Sequence, residues 1–298
     1  MNRYFPFFAL ILLIFSGSLV AAEPPKMTAD EFNASLKYQQ GEIKLPGGKA
    51  TLNVPPQFRY LDPADAKRVL EQAWGNPSGE NTLGMLFPAN AGPLDQSAWG
   101  VVISYTDDGH VSDSDADAID YANLLKEMQD GTKEENERRV QAGFGRVELV
   151  GWAEQPQYDK DSRKMYWAKD LKIGDTQDHT LNYNVRVLGR DGVLILNAVA
   201  GMDQLAEIKG QMKQVTAFTN FGQGSQYTDF NADTDKIATY GLAALVGGAV
   251  AAKVGLFAKI GLLLVAGKKF IFLGLVAFGG FFARFYKRRK DKVKEGVG

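Results

Sequence analysis

The stretch LNYNVRVLGRDGVLILNAVA, Leu181–Ala200, decides the fold. Leu181, Tyr183, Val185 and Val187 alternate with Asn182, Asn184 and Arg186. Successive side chains of an extended chain point to opposite faces, so the pattern predicts a strand with one apolar and one polar face. Gly189-Arg190-Asp191-Gly192 then supplies turn chemistry, because glycine reaches positive φ without a Cβ clash. Val193–Val199 is a second apolar run, rich enough to be covered on both faces. Two such runs about a Gly/Asp turn predict a β-hairpin at the centre of an antiparallel sheet.

Working outward, Val147–Trp152 and Lys164–Leu171 read as two further strands, with turns at Asp159-Lys160-Asp161-Ser162 and Gly174-Asp175. The four strands form an antiparallel meander with one face free for helices. A closing helix is predicted over Asp203–Phe218, capped by Asp203. Leu205, Ile208, Met212 and Val215 fall on one face of it. Upstream, Leu83–Pro88 and Trp99–Tyr105 read as strands, and Pro46-Gly47-Gly48 as a turn between two short extended pieces. Thr28 and Glu31 make a capping box for a helix to about Gln40, and Asp62-Pro63 opens one that runs to Trp74. Ile119, Leu124, Leu125 and Met128 have helical spacing. Gly131 is read as a break, and Thr132 with Glu135 as the start of another helix reaching Gln141. The expected class is α+β: an antiparallel β-sheet covered by helices, plus a C-terminal transmembrane helical segment.

The ends of the chain give that last expectation. Arg3, an apolar run over Tyr4–Phe15 and the small residues Val20-Ala21-Ala22 have the order of a secretory signal peptide, residues 1–22. Residues 23–219 read as an exported α+β domain and residues 220–236, rich in Gly, Ser, Asn and Asp, as a linker. Residues 237–283 are apolar apart from four lysines and read as one or more transmembrane segments; residues 284–298 form a basic tail. The positive-inside rule puts that tail in the cytoplasm. An exported domain then requires an odd number of crossings, whereas the apolar pattern suggests two segments; a single crossing and a hairpin both stay open. The expected location is the bacterial inner membrane, with the main domain periplasmic or extracytoplasmic. Ala243, Gly247 and Ala251, and beside them Ala244, Gly248 and Ala252, form two rows of small residues at spacing four. Such rows let membrane helices approach closely, so self-association is expected there. The lipid bilayer and an envelope protein are the other expected partners.

Charge is divided unevenly. Residues 23–236 hold 22 basic and 33 acidic residues, against 34 and 35 in the whole chain. An acidic domain is repelled by phosphate backbones, which argues against nucleic acid as a partner. The chain has no cysteine, so thiol nucleophiles, disulfides and thiolate metal sites are excluded.

No motif announces a reaction. The two histidines, His110 and His179, are too few for a multi-histidine metal site, and both read as loop residues. Asp113, Asp115 and Asp117 resemble the start of a calcium loop, but Ala118 stands where its glycine belongs and Leu124 where its glutamate belongs. Glu154 and Asp159 are a formal carboxylate pair for acid–base work. Trp74, Trp99, Trp152 and Trp167 read as core or sheet aromatics. The best binding candidate is the polar strand face of Asn182, Asn184 and Arg186, with Arg190 at the turn, because asparagine is poor in strands. No cofactor, metal or catalytic residue is assigned.

The phrases WGVVISYTDDGHVSDSDADAIDY, GWAEQPQYD, MYWAKDL, LNYNVRVLGRDGVLILNAVA and DFNADTDKIATYGLAALVGGAVAAKVGLFA resemble a family of bacterial predicted membrane-anchored proteins of unknown function. The resemblance spans the chain from about Gly48 into the apolar C-terminal run. It implies an exported domain with a C-terminal anchor, and no activity. The element order is similar to the fold of the photosystem extrinsic P protein and Mog-type proteins. The expected function is an envelope binding or scaffolding module. The alternatives are a carboxylate-dependent envelope hydrolase and a calcium-dependent sensor.

Overall fold

The computed structural model describes residues 27–78, 81–95 and 98–248. The expected signal peptide, the basic tail and most of the expected membrane segment lie outside the described residues.

In chain order the elements are α1 (Ala29–Ala34), β1 (Tyr38–Gln39), β2 (Gly41–Lys44), β3 (Ala50–Val54), β4 (Phe58–Leu61) and α2 (Pro63–Arg68), which runs on into a π-helical turn. Then come β5 (Gly84–Pro88), β6 (Gly100–Thr106), β7 (His110–Ser112), α3 (Tyr121–Gln141), β8 (Val147–Asp159) and β9 (Lys164–Ile173). The chain continues through β10 (His179–Leu188), β11 (Val193–Gly201), α4 (Leu205–Ala217), β12 (Thr219–Phe221), β13 (Ile237–Gly241) and α5 (Leu242–Gly247). An eight-stranded antiparallel sheet in the order β1-β4-β5-β6-β11-β10-β9-β8 dominates the molecule. The fold is thus mixed α+β, built on a large antiparallel sheet.

The hairpin of β10 and β11 is central, with Leu188 opposite Val193 and Gly189 N–H donating to Gly192 O at 2.8 Å. Gly192 is required by space. A Cβ there would stand 1.9 Å from the Thr106 carbonyl oxygen. The sheet edges are blunted against further pairing. β1 is only two residues long, and β8 shifts register three times along its length.

One face carries Leu181, Tyr183, Val185 and Val187 of β10 with Leu194, Leu196 and Ala198 of β11. Onto it pack Ile208, Met212 and Val215 of α4 and the small sheet β12-β3-β2. Each buried aliphatic of α4 is worth roughly 1.5–3 kcal/mol relative to exposure. The opposite face holds two separate apolar clusters. One joins Met165, Trp167 and Ile195 to Leu124 and Met128 of α3 and to Leu242 and Leu245 of α5. The other joins Met85, Val102 and Val199 to Phe32 and to Ala66 of α2.

Several expectations differ from what is observed. The first helix ends at Ala34, and Tyr38–Gln39 pair with β4 instead of continuing it to Gln40. Asp203 lies in a 3-10 turn before α4 instead of capping it. Helix α3 is continuous over 21 residues. Thr132 does not cap a new helix; its hydroxyl donates to Met128 O at 2.8 Å, one turn back. Asn136 locks α3 to the sheet by exchanging two hydrogen bonds with the Val147 backbone. Tertiary burial of Leu124 and Met128 outweighs the helix cost of Gly131, about 1 kcal/mol.

Residues 220–236, which composition reads as a linker, are bonded to the domain. β12 pairs with β3, Gly189 bridges to Gln226, and Asp235 takes a bidentate pair of hydrogen bonds from Arg190 at 2.7 and 2.8 Å. Polar composition fits a linker and an ordered, hydrogen-bonded loop equally well.

The apolar run from Ile237 also begins inside the domain. β13 pairs in parallel with β7, and Ala238, Leu242, Leu245 and Val246 are buried in the α3 cluster. Hydropathy alone does not distinguish a protein interior from lipid. Helix α5 ends at Gly247, and Gly248 has φ +64, so the row Ala244, Gly248, Ala252 does not begin on one continuous helix. Ala243 and Gly247 are at opposite ends of the same short helix, while Ala251 and Ala252 lie outside the described residues. Among the described residues no helix is long and apolar enough to cross a membrane.

Candidate functional site

The polar face of β10 is not a solvent face. Asn182, Asn184 and Arg186 are 2%, 1% and 7% exposed. They sit under the second layer, in the gap between the two apolar clusters. On β11 the residues sharing this face are Val193 and Ile195 in one cluster, Val199 in the other, and Asn197 between them. On β9 they are Met165, Trp167, Lys169 and Leu171. Register sets Lys169 and Val199 on either side of Asn182, and Trp167 and Asn197 on either side of Asn184. Directly paired side chains on one sheet face have Cβ atoms about 4.5–5.5 Å apart. The result is a buried polar seam across the three central strands.

Its bonds are few. Asn184 Nδ2 donates to Asn182 Oδ1 at 2.9 Å and to Asn182 O at 2.8 Å. Arg186 Nη1 donates to Asn197 Oδ1 at 3.0 Å and to Val185 O at 3.1 Å. The guanidinium lies over the Trp167 ring, 4.7 Å from its centroid. Several donors of the seam have no protein acceptor among the described residues. Asn182 Nδ2 and Trp167 Nε1 are buried and unbonded. Lys169, 4% exposed, makes neither a hydrogen bond nor an ion pair. A buried charge left unpaired is among the costliest arrangements a fold can hold.

The electrostatics follow. Burial, and then the neighbouring Arg186 charge, push the Lys169 amine down to about 7. Burial pushes Arg186 down to about 9, so Arg186 stays charged at neutral pH and Lys169 is the group that yields. Tyr240 of β13 acts on Arg186 in the opposite sense, and its own hydroxyl donates to Asp108 at 2.8 Å. No carboxylate of the described residues pairs with either cation.

Of the four residues expected from sequence, the structure brings Asn182, Asn184 and Arg186 together and sets Arg190 apart. Arg190 binds Asp235 and holds residues 220–236 in place. Lys169, Trp167 and Asn197 were missed. Asn197 is the one polar residue in Val193–Val199, and Lys169 follows an apolar MYWA run. Both are signals once the strand is known to be covered on both sides.

The other candidates are committed elsewhere. Asp113 accepts from Tyr158 at 2.8 Å and pairs with Arg163; Asp115 accepts from the Leu242 and Ala243 amides; Asp117 pairs with Lys160 at 2.8 Å. Asp115 fastens the start of α5, while Asp113 and Asp117 are tied to the end of β8 and the turn after it, and no metal-holding cluster exists among the described residues. Glu154 binds Lys209 on α4, and Asp159 accepts from the turn at Asp161 and Ser162. His110 is buried against Phe230, with ring centroids 3.9 Å apart, and His179 Nδ1 lies 2.7 Å from Asp170.

A family model described as "Protein of unknown function (DUF2167)" matches residues 37–279. The chain belongs to this family. The match covers the whole seam. No curated protein matches the chain. Among solved structures it is similar to cyanobacterial PsbP (CyanoP) from Synechocystis, at 12% identity and TM-score 0.34, over 63% of this chain and 94% of that one. It is also similar to the Saccharomyces cerevisiae Ran-binding protein Mog1p, at 10% identity and TM-score 0.34, over 66% of this chain and 100% of that one. A third is LpqN of Mycobacterium tuberculosis, described as involved in cell envelope biogenesis. It matches at 14% identity and TM-score 0.27, over 66% of this chain and 98% of that one.

Proposed function

We propose that the chain is an envelope binding module: an exported domain, tethered to the bacterial inner membrane by its C-terminal apolar segment, with the buried seam as its binding site. The observation that carries the binding reading is the pair of buried donors at Asn182 and Trp167 without protein acceptors, on the same face as the buried, unpaired Lys169. Natural interiors satisfy such groups, so an unmet set at one place is where a partner belongs. Export and tethering are supported by the signal-like N-terminus and by the apolar and basic C-terminal residues.

The tether is tested on the full chain in spheroplasts. The domain is degraded by added protease while the membrane is intact, and the untreated protein stays in the membrane pellet through high-salt and carbonate washes. A domain protected from protease, or a chain released by the washes, overturns the assignment.

The burial of Lys169 without an ion-pair partner favours a second reading. A lysine amine near 7 is the form used for carbonyl chemistry, where the amine condenses with an aldehyde or ketone, losing water to form an imine. Reduction with cyanoborohydride in the presence of pyruvate then leaves a mass label on Lys169. A Lys169 left unlabelled while surface lysines react removes this reading.

A further inference from the structure

We propose that the seam binds an anionic group, a carboxylate or a phosphate, between the Lys169 amine, the unbonded edge of the Arg186 guanidinium, the Asn182 amide and the Trp167 indole N–H. This rests on the reading of the seam as a binding site and adds the chemical class of its ligand.

The sign of the ligand follows from the donor set. The two buried, unbonded side-chain atoms of the seam are donors, an amide N–H and an indole N–H, and the Lys169 amine on the same face has no protein acceptor among the described residues. Asn182 Oδ1 and Asn197 Oδ1 each already accept one hydrogen bond, from Asn184 and Arg186.

The charge points the same way. Two cations share a buried face, each nine-tenths or more covered, with no carboxylate paired to either. Their mutual repulsion is already felt at Lys169. Bound water meets the hydrogen bonds but leaves that charge, whereas an oxyanion meets both.

The strand register sets these groups on one sheet face. Asn197, which holds Nη1, is across from Asn184, one same-face step towards Asn182 and Lys169. Arg186 thereby reaches along the strand to the level of Asn184 instead of out to its own partners in register, Met165 and Ile195. The guanidinium stands over the Trp167 ring, and its Nε and Nη2 have no protein acceptors among the described residues. A planar carboxylate or a phosphate matches the unbonded fork.

The test reads the indole N–H resonances of the full chain in uncharged detergent micelles. There are 4 tryptophans, and Trp167→Phe identifies the resonance of interest. Acetate, its neutral isostere acetamide and inorganic phosphate are titrated separately at constant ionic strength. The Trp167 resonance is expected to shift and saturate with acetate or phosphate, and the stronger of the two names the ligand type. Acetamide is expected to leave it in place. Lys169→Met is expected to weaken the response at least tenfold. If that variant does not fold, the wild-type affinity measured at pH 6 and pH 9 replaces it, with weaker binding expected at pH 9.

A response to acetamide as strong as to acetate overturns the anionic ligand and leaves the binding site standing. A response unchanged in Lys169→Met, or equal at the two pH values, overturns the anionic ligand as well. A Trp167 resonance unmoved by all three probes overturns both the ligand and the site.

Discussion

Lys169 is the residue on which the chemistry turns. Its folded-state value near 7 is well below the ordinary lysine value of 10.5. Between those limits the unfolded chain binds a proton that the folded chain sheds, so stability rises with pH across this window. Below about pH 7 both states are protonated, and the full penalty of burying the cation is present and constant. Arg186 adds a further rise above about 9, by the same logic. Urea midpoints of wild type are therefore expected to climb from pH 7 to pH 10. Lys169→Met is expected to be more stable than wild type at pH 7 and to show a flatter profile. Parallel profiles for the two proteins contradict a buried, unpaired amine. Asn197→Val acts in the other direction. It strips Arg186 of a side-chain acceptor at 3.0 Å and is expected to cost about 1–3 kcal/mol in the same assay.

Among the elements, the pair β13–α5 is the one most open to disturbance. Asp115 holds its start by accepting from the Leu242 and Ala243 amides at 3.0 and 3.3 Å. Asp115→Ala is expected to speed amide exchange over β13 and α5 by tenfold or more, while β10 and β11 keep their protection. Uniform loss of protection across all these strands would show that Asp115 supports the whole fold instead. The hairpin turn gives a harsher case. Gly192→Ala drives a methyl group into the Thr106 carbonyl and the Tyr105 ring, and is expected to cost at least about 1–3 kcal/mol in thermal unfolding.

The same elements show what was legible in the sequence. β10, β11 and α4 were read with close boundaries because period two and spacings of three and four are local signals. The Asn182-Asn184-Arg186 row was found, but its environment was not. Alternation reports that one face is polar and says nothing of whether a second layer covers it. The long α3 was divided at Gly131 because its stabilising contacts with β8 and α5 lie far away in sequence. Lys169 was missed because register, not proximity along the chain, puts it beside Asn182.

At the scale of the molecule, a large sheet is covered on both faces, and the second layer on one face is completed by the residues that open the apolar C-terminal run. Ala238, Leu242, Leu245 and Val246 are thus part of the domain before the chain continues beyond Gly248. Any tether therefore begins after Gly248, about ten residues later than hydropathy places it. A protease site inserted at residues 234–236 is expected to resist cleavage in the folded chain, since Asp235 is held by Arg190 and by the Asn231 amide. Rapid cutting there would restore the linker reading. The domain's acidic surface and its cationic seam then have opposite signs, so the seam selects anions that the surface does not attract.

The most direct measurement is the titration of Lys169 itself, followed by carbon NMR of 13C-labelled lysine side chains in the full chain, with Lys169→Met for assignment. The account predicts a midpoint near 7 in the free protein, moving upward when acetate or phosphate saturates the seam. A Lys169 that titrates near the ordinary 10.5, and does so whether or not an anion is present, would contradict it.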